Sequence, residues 1–423
     1  MFHRLQLTGV GPADEVDLPL GRRLNVVTGD NGLGKSFLLE VVWWALTRSW
    51  ARHPARPSTG WADRARIGFV LDGVRHKKIT YESSFDKKAQ EWRGKKGRPY
   101  NPGLIVYARA DGGFCVWDPA RNYWSDTQTQ PDGALEPFNF APDEIWDGLR
   151  GAENEVLSNG LLLDWALWQK ENGESFELLK TVLSALSPSE DERFEPDKLV
   201  RLDVRQSRDI PTLRTSYGEA IPVSFLSSGV QRIIALAYLL VWTWQEHRKA
   251  SEVLEQEPAQ QIIFLVDEVE AHLHPRWQRV VLRSLLTVVD SLMGGGSASI
   301  QLLAATHSPL VLASLEQLFD QENDRIFHFG LTGNRPVLRE VPWSKQGDVV
   351  NWLVSDAFGL KQGRSLEAER AIEAAEAFMR KDLRALPRDL NNRELIDLAL
   401  HQTLADHDSF WPRWITSKAR RSR

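Results

Sequence analysis

A glycine-rich segment near the start of the chain has the residue types and spacing of a phosphate-binding loop. It matches the pattern Gly-x-x-x-x-Gly-Lys-Ser at every fixed position and reads Gly29-Asp30-Asn31-Gly32-Leu33-Gly34-Lys35-Ser36. The glycines let backbone N–H groups approach phosphate oxygens, Lys35 brings positive charge to the β- and γ-phosphates, and Ser36 offers its hydroxyl to Mg²⁺. The segment therefore predicts a site for ATP and Mg²⁺ that all eight residues help to form.

Two adjacent carboxylates follow an apolar run later in the chain. Residues 262–266 are all apolar, as in a buried parallel strand, and Asp267 and Glu268 come directly after them. Ligands of open α/β sheets bind at the carboxyl ends of strands. We therefore expect Asp267 to hold Mg²⁺ through water and Glu268 to act as general base or to position the attacking water. The alternative is a buried strand followed by an aspartate that caps a helix.

The segment Leu226-Ser227-Ser228-Gly229-Val230-Gln231-Arg232 opens a predicted helix. A serine hydroxyl and free N–H groups at a helix N-terminus form an anion site, although a simple serine N-cap has the same sequence pattern. The segment resembles the signature motif of ABC ATPases, in the Leu-Ser-Ser-Gly-x-Gln-Arg form of soluble members. The resemblance implies that Ser227 and Gly229, with Ser228 between them, bind the γ-phosphate of ATP held by a second protomer. Val230 departs from the polar residue often found at its position.

Two further segments resemble motifs of the same family. Thr306-His307-Ser308-Pro309 resembles the switch-histidine segment, which implies a catalytic contact between His307 and the γ-phosphate; a structural histidine is the alternative. Residues 270–275, Glu-Ala-His-Leu-His-Pro, occupy the position of the D-loop, for which a zinc site is the alternative interpretation. Gln169 is a candidate for the family's Q-loop glutamine.

A parallel sheet must position these motifs. A strand at 24–28, the loop and a helix at 36–48 give the strand–loop–helix order that a phosphate-binding loop needs. Further strands are predicted at 262–266 and 300–305, and a helix at 229–248. The resemblance implies an α/β fold: an ABC-type P-loop ATPase head with a mixed sheet, an elaborated α/β insertion lobe and a helical C-terminal region.

We expect the ATPase domain to cover residues 1–340 and the insertion lobe to cover about 50–222. Hairpins are predicted in the lobe at 67–85 and 104–117, and helical structure at 143–186. The helical region 341–423 is a candidate docking site for a partner. Its aromatic residues are expected to be exposed interface anchors, although covering the ATPase core is an equal alternative: Phe410, Trp411 and Trp414.

Composition restricts the classes of protein that remain. The net charge is −5, which is not typical of a nucleic-acid binder, although basic segments at 48–56, 87–98 and 418–423 are candidate contacts or solvated faces. A single cysteine, Cys115, excludes an internal disulfide and favours a reducing compartment. The longest apolar stretch is too short to cross a bilayer and no signal peptide is recognisable, so we expect a cytoplasmic protein without membrane contact.

The spacing of the motifs narrows the choice within ABC ATPases. The signature begins 190 residues after Ser36, farther than in a transporter cassette, and no sustained heptads indicate an SMC-type coiled coil. The chain resembles the RecF and OLD branch, and four stretches resemble the ATPase subunits of Septu-type two-gene anti-phage systems: 29–39, 111–121, 140–146 and 410–414.

The Septu-type resemblance implies a separate HNH-type nuclease as partner and DNA as a target, contacted directly or through that partner. The ABC resemblance implies a two-fold dimer or a higher even oligomer. The sequence has no recognisable nuclease site of its own, which favours an ATPase that regulates or recruits a nuclease. The competing interpretation is a RecF-like DNA-repair ATPase that binds DNA directly.

Overall fold

The computed structural model describes residues 1–73, 75, 77–93, 101–122, 135–205, 207–214, 218–292 and 299–419. The chain divides into two compact units, Met1–Trp352 and Leu353–Arg423. All of the predicted nucleotide-binding motifs lie in the first unit. Parts of two predicted basic segments, 94–98 and 420–423, lie outside the described residues.

A mixed sheet forms the centre of the first unit. In the part of the chain that the structure describes it has eight strands, whose order across the sheet is β18 (Arg335–Glu340), β17 (Arg325–Thr332), β3 (Leu24–Gly29), β16 (Ser299–Ala305), β15 (Gln261–Val266), β7 (Leu104–Ala108), β8 (Phe114–Trp117) and β9 (Phe138–Phe140). The five strands from β17 to β7 are parallel, and β18, β8 and β9 are antiparallel to their neighbours. The parallel strands are rich in buried Val, Ile and Leu, as expected for strands covered on both faces.

A second, antiparallel sheet packs near the first. Its strands in order are β2 (Glu15–Pro19), β1 (Phe2–Thr8), β4 (Arg66–Asp72), β5 (Lys78–Asp86) and β6 (Glu91–Arg93). Helix α1 (Lys35–Thr47) contributes apolar residues to a core that also contains residues of both sheets, including Trp43, Phe69 and Leu265. The phosphate-binding loop at the start of α1 is therefore anchored on a well-packed base.

The remaining elements of the first unit surround the central sheet. Its other strands are β10 (Leu149–Arg150), β11 (Val156–Ser158), β12 (Glu195–Val200), β13 (Ile210–Arg214) and β14 (Ala220–Pro222). Its other helices are α2 (Pro119–Asn122), α3 (Pro142–Asp147), α4 (Leu161–Glu171), α5 (Glu174–Ala185), α6 (Ser228–Val253), α7 (Pro275–Gln278), α8 (Val281–Leu292), α9 (Pro309–Ser314) and α10 (Val349–Leu353), the last of which ends at the boundary of the units. None of the described helices is long and apolar enough to cross a membrane.

Two details of region 50–222 go beyond the sequence-based expectation. Strands β7 and β8, from the hairpin predicted at 104–117, join the central sheet, where β7 pairs in parallel with β15. The region 143–186 contains α3, α4 and α5, but the β10–β11 hairpin interrupts them. The interruption spans residues 148–160, which contain three glycines, and glycine is a poor helix former.

The second unit contains the helices α11 (Leu366–Arg380), α12 (Arg393–Thr403) and α13 (Trp411–Ala419). The expectation that its aromatic residues are exposed is wrong: Phe410, Trp411 and Trp414 are 4%, 9% and 1% exposed. They pack against the alanine-rich face of α11, where bulky side chains are needed to fill the core. The indole N–H of Trp414 donates to Asp397 Oδ1 at 2.6 Å, which satisfies its buried polar atom.

Candidate nucleotide-binding site

Three adjacent parallel strands end in the residues that the sequence analysis identified. β3 runs into the phosphate-binding loop, β16 ends just before Thr306 and His307, and β15 ends just before Asp267 and Glu268. Because parallel strands present their carboxyl ends at the same edge of a sheet, the fold brings the three motifs together.

The phosphate-binding loop connects β3 to α1 as predicted. Gly34 is the N-cap of α1 and has a φ of 112°, in the region that favours glycine. A Cβ at Gly34 would also lie 2.5 Å from Pro12 Cγ, which leaves no room for a side chain. The loop therefore turns directly into the N-terminus of α1, where backbone N–H groups and the helix dipole favour an anion. The other loop residues between the strand and this turn are Asp30, Asn31, Gly32 and Leu33.

Lys35 is buried beneath this loop. Its Nζ donates to the carbonyl oxygens of Gly29 at 2.8 Å and Asp30 at 2.9 Å. Burial lowers the pKa of Lys35, and the negative charges of Asp267 and Glu268 oppose that shift. The lysine of the loop and the carboxylates after β15 thus belong to one electrostatic site.

Asp267 and Ser36 form the group best suited to a divalent cation. Asp267 is only 2% exposed; burial raises its pKa, and the Ser36 hydroxyl opposes that shift. Its Oδ1 has no hydrogen-bond partner among the described residues. A buried, unsatisfied carboxylate oxygen is costly, and Mg²⁺ prefers oxygen ligands of these kinds. The donor set therefore fits Mg²⁺.

Glu268 and His307 face each other at the open side of the site. His307 Nε2 lies 4.0 Å from Glu268 Oε1, and the two side chains are 29% and 41% exposed. Burial and the charge of Lys35 lower the pKa of His307, which favours the neutral imidazole. Glu268 has a left-handed backbone, φ 46°, which turns the chain sharply at the end of β15.

Glu270 holds the segment Thr306–Ser308, called the histidine loop below, through contacts that the sequence analysis did not identify. Its carboxylate accepts hydrogen bonds from the Thr306 hydroxyl and from the His307 backbone N–H. The sequence analysis considered Glu270 only as part of the D-loop segment. The available signal was its position: Glu270 lies two residues after Glu268, in the segment that follows β15.

The signature segment begins α6 close to the same carboxylates. Ser227 is the N-cap, but its side chain makes no capping hydrogen bond, unlike a simple serine N-cap. A Cβ at Gly229 would lie 2.3 Å from the carbonyl oxygen of His272, so the helix packs directly on the D-loop segment. Arg232 donates to the carbonyl of Glu268 at 3.4 Å, and its pKa is lowered by burial.

A Q-loop role for Gln169 and a zinc site at the D-loop histidines find no support in the described residues. Gln169 lies on α4, where it accepts from the Trp165 indole at 3.1 Å and donates to the carbonyl of Asp197, so its amide is used in local packing. Among the described residues no group of three or more His, Cys, Asp or Glu side chains is arranged to hold a metal, which includes the histidines of the D-loop segment. His274 instead caps α7 by accepting from the Arg276 N–H.

Glu40 is a second group that the sequence analysis missed. It lies on α1, one turn after Ser36, and burial raises its pKa to about 7. Its Oε2 has no hydrogen-bond partner among the described residues, although the charges of Arg109 and Arg52 partly offset the burial. The available signal was a glutamate within a helix whose other residues are mostly apolar.

A phosphate-binding loop, a signature helix, paired carboxylates and a histidine on a mixed sheet define an ABC-type ATPase, and this chain is one. Two family models agree with this conclusion. One model, described as an AAA domain, matches residues 4–133. The other, described as an AAA domain of the AbiEii toxin, Type IV TA system kind, matches residues 134–313. The first contains the phosphate-binding loop, and the second contains the other motifs.

Within this class the sequence resembles the Septu protein PtuA of Bacillus thuringiensis. The two are 23% identical over 409 residues, which cover 92% of this chain and 94% of that protein. A Septu protein PtuA of Bacillus mycoides (strain KBAB4) is 29% identical over 140 residues, covering 32% of this chain and 16% of that protein. Among solved structures, the SmcHead bound to the C-winged helix domain of ScpA is 14% identical, covers 80% of this chain and 97% of its own, and has a TM-score of 0.41.

Proposed function

We propose that this ATPase binds ATP and Mg²⁺ at composite sites between two protomers and controls a DNA nuclease partner in cytoplasmic anti-phage defence. The observation that carries the proposal is the similarity to a Septu protein along 92% of this chain. The uncovered part of this chain is shorter than the C-terminal unit, so the match extends into that unit as well as the ATPase unit. The Septu-type resemblance implies an HNH-type nuclease as that partner.

Each residue of the site has a role in the proposed hydrolysis. Lys35 and the N-terminus of α1 bind the β- and γ-phosphates, and Ser36 and Asp267 hold Mg²⁺. The metal, when bound, neutralises charge on the phosphate oxygens. Glu268 accepts the proton of the attacking water or orients it, and His307 contacts the γ-phosphate from the opposite side.

The signature segment is the part that a second protomer would use. Ser227 and Ser228 are exposed at the start of α6, and the Ser227 hydroxyl is not occupied by a capping bond. The contacts of Gly229 and Arg232 pack this helix on the segment that follows β15, next to its exposed N-terminus. A two-fold arrangement would place Ser227–Gly229 of each protomer against the ATP of the other.

Light scattering of the purified chain tests the assembly. We expect Glu268→Gln protein to be largely dimeric with Mg²⁺ and ATP and largely monomeric without nucleotide, since ATP forms part of the interface. Ser227→Arg in the same background introduces a bulky cation at the proposed contact and should stay monomeric. A mass that does not depend on ATP or on Ser227 would contradict the composite site.

Ion pairs in the described residues bear on the alternative of direct DNA binding. In the basic segment predicted at 87–98, Lys87 pairs with Asp63 at 2.7 Å, and Arg93 pairs with Asp86. Charges that already have acidic partners contribute less to binding of DNA phosphates. This arrangement weakens the case for direct DNA contact by Lys87 and Arg93.

A further inference from the structure

Glu270 connects two strands at the proposed catalytic edge of the sheet. It lies in the segment after β15, whereas both of its hydrogen-bond donors follow β16. Its Oε2 accepts from the Thr306 hydroxyl at 2.7 Å, and its Oε1 accepts from the His307 backbone N–H. A charged acceptor forms stronger hydrogen bonds than a neutral one, so this carboxylate is a strong tie between the two segments.

The rest of the histidine loop is fixed by neutral hydrogen bonds. The Thr306 backbone N–H donates to the Val27 carbonyl at 3.0 Å, and the Thr306 hydroxyl accepts from the Ser308 N–H at 3.0 Å. The Ser308 hydroxyl donates to Gln278 Oε1 at 2.7 Å. The Thr306 hydroxyl therefore acts as a relay between Glu270 and the backbone on the far side of His307.

The segment that carries Glu270 also contacts the signature helix. The residues two positions before and two positions after Glu270 both have left-handed backbones: Glu268 has φ 46° and His272 has φ 62°. The His272 carbonyl is the atom that packs on Gly229, and Arg232 bonds the Glu268 carbonyl. The start of α6 is therefore linked to the segment that carries Glu270 through directly contacting groups.

We propose that Glu270 is a positioning residue that sets the orientation of His307 and couples it to the signature helix. The proposal rests on the function proposed above, in which His307 contacts the γ-phosphate. Glu270 has two acceptor oxygens for two donors. A glutamine offers one acceptor and an amide NH₂ group, which would face a donor at one of the two bonds.

Steady-state ATPase kinetics of the full chain test this assignment. The variants are Glu270→Ala, Glu270→Gln, His307→Ala and the double variant Glu270→Ala/His307→Ala. Glu316→Ala is the matched control, since Glu316 also accepts backbone N–H groups, those of Gln346 and Gly347, and an indole N–H in the same unit. Thermal unfolding of each variant checks that the fold is retained.

We expect Glu270→Ala to lower kcat by about 10- to 100-fold with little change in KM, because misplaced catalytic groups cost rates of this order. Glu270→Gln should lose less, and the control should keep wild-type kcat. In the His307→Ala background, Glu270→Ala should cost less than about 2-fold more, because two residues that act through one group are not additive.

Three results would overturn the proposal in distinguishable ways. If both single variants are impaired and their losses multiply in the double variant, Glu270 acts independently of His307. If Glu270→Ala raises KM or lowers the unfolding temperature while kcat is unchanged, its role is binding or structural. If His307→Ala alone keeps wild-type kcat, the role proposed for the histidine fails, and Glu270 has no group to position.

Discussion

His307 Nε2 lies 4.0 Å from Glu268 Oε1, although the two residues follow different strands and are 39 positions apart along the chain. The distance is too long for a direct hydrogen bond, and both side chains are partly exposed. In the proposed function, Glu268 contacts the attacking water and His307 contacts the γ-phosphate.

Replacement of Glu268 should separate ATP binding from hydrolysis. Glu268→Gln keeps the size of the side chain but cannot accept a proton, so we expect hydrolysis to slow by about 10²-fold or more with ATP binding retained. Single-turnover hydrolysis and equilibrium binding of labelled ATP measure the two effects. Glu322→Gln, an exposed carboxylate in the same unit, is the control. Hydrolysis by Glu268→Gln at the wild-type rate would exclude Glu268 as the base.

Glu40 should make the stability of the ATPase unit depend on pH. Its pKa is about 7 in the folded protein, against an ordinary value of 4.5. As pH rises through this window the unfolded chain loses the proton first, so unfolding becomes more favourable and stability falls. Glu40→Gln removes this effect. We compare the free energy of unfolding of Glu40→Gln with that of wild type. We expect the difference to favour the variant by about 1–2 kcal/mol more at pH 8.5 than at pH 5, after allowance for partial solvent screening.

Urea unfolding followed by tryptophan fluorescence at the two pH values measures this difference. Glu394→Gln, an exposed carboxylate on α12, should show no such dependence. A Glu40→Gln variant whose stability relative to wild type is the same at both pH values would refute the assignment of Glu40.

The C-terminal unit should be separable from nucleotide binding. Trp414 is 1% exposed in the core of that unit, so Trp414→Ala should destabilise it by about 3–5 kcal/mol. We expect ATP binding to be unchanged and co-purification of the nuclease partner to be lost, as with truncation after Trp352. Ile415→Ala, on the same helix but 61% exposed, is the matched control for stability. Retention of the partner by the truncated chain would place the docking surface elsewhere.

The sequence was most informative where chemistry demands a fixed residue type. Asp267 could be identified because it directly follows a buried strand, and His307 because its segment resembles the switch-histidine segment of ABC ATPases. The structure places both at one edge of the sheet. Glu270 and Glu40 were missed because their importance depends on partners that are distant in sequence, such as Thr306, and on burial. No local pattern contains that information.

For Trp414 the sequence led to a wrong expectation, that of an exposed side chain. Aromatic residues near the end of a charged, helical segment are equally compatible with an exposed anchor and with a small core. The choice depends on whether the neighbouring helices supply enough bulk, and α11 presents mainly alanines to this core. The sheet positions of β7 and β8 were likewise unpredictable, because the partner strand β15 is about 150 residues away.

Subunit mixing tests the central claim, the composite ATP site, most directly. Lys35→Ala removes the charge that binds the β- and γ-phosphates, and Ser227→Arg blocks the proposed contact with the partner's ATP. Neither variant alone can then form a working site, but a mixed dimer contains one site built from the intact Lys35 of one chain and the intact Ser227 of the other. We predict that mixing the two inactive proteins under conditions in which wild-type subunits exchange restores ATPase activity. No recovered activity, with exchange demonstrated, would contradict a site shared between protomers.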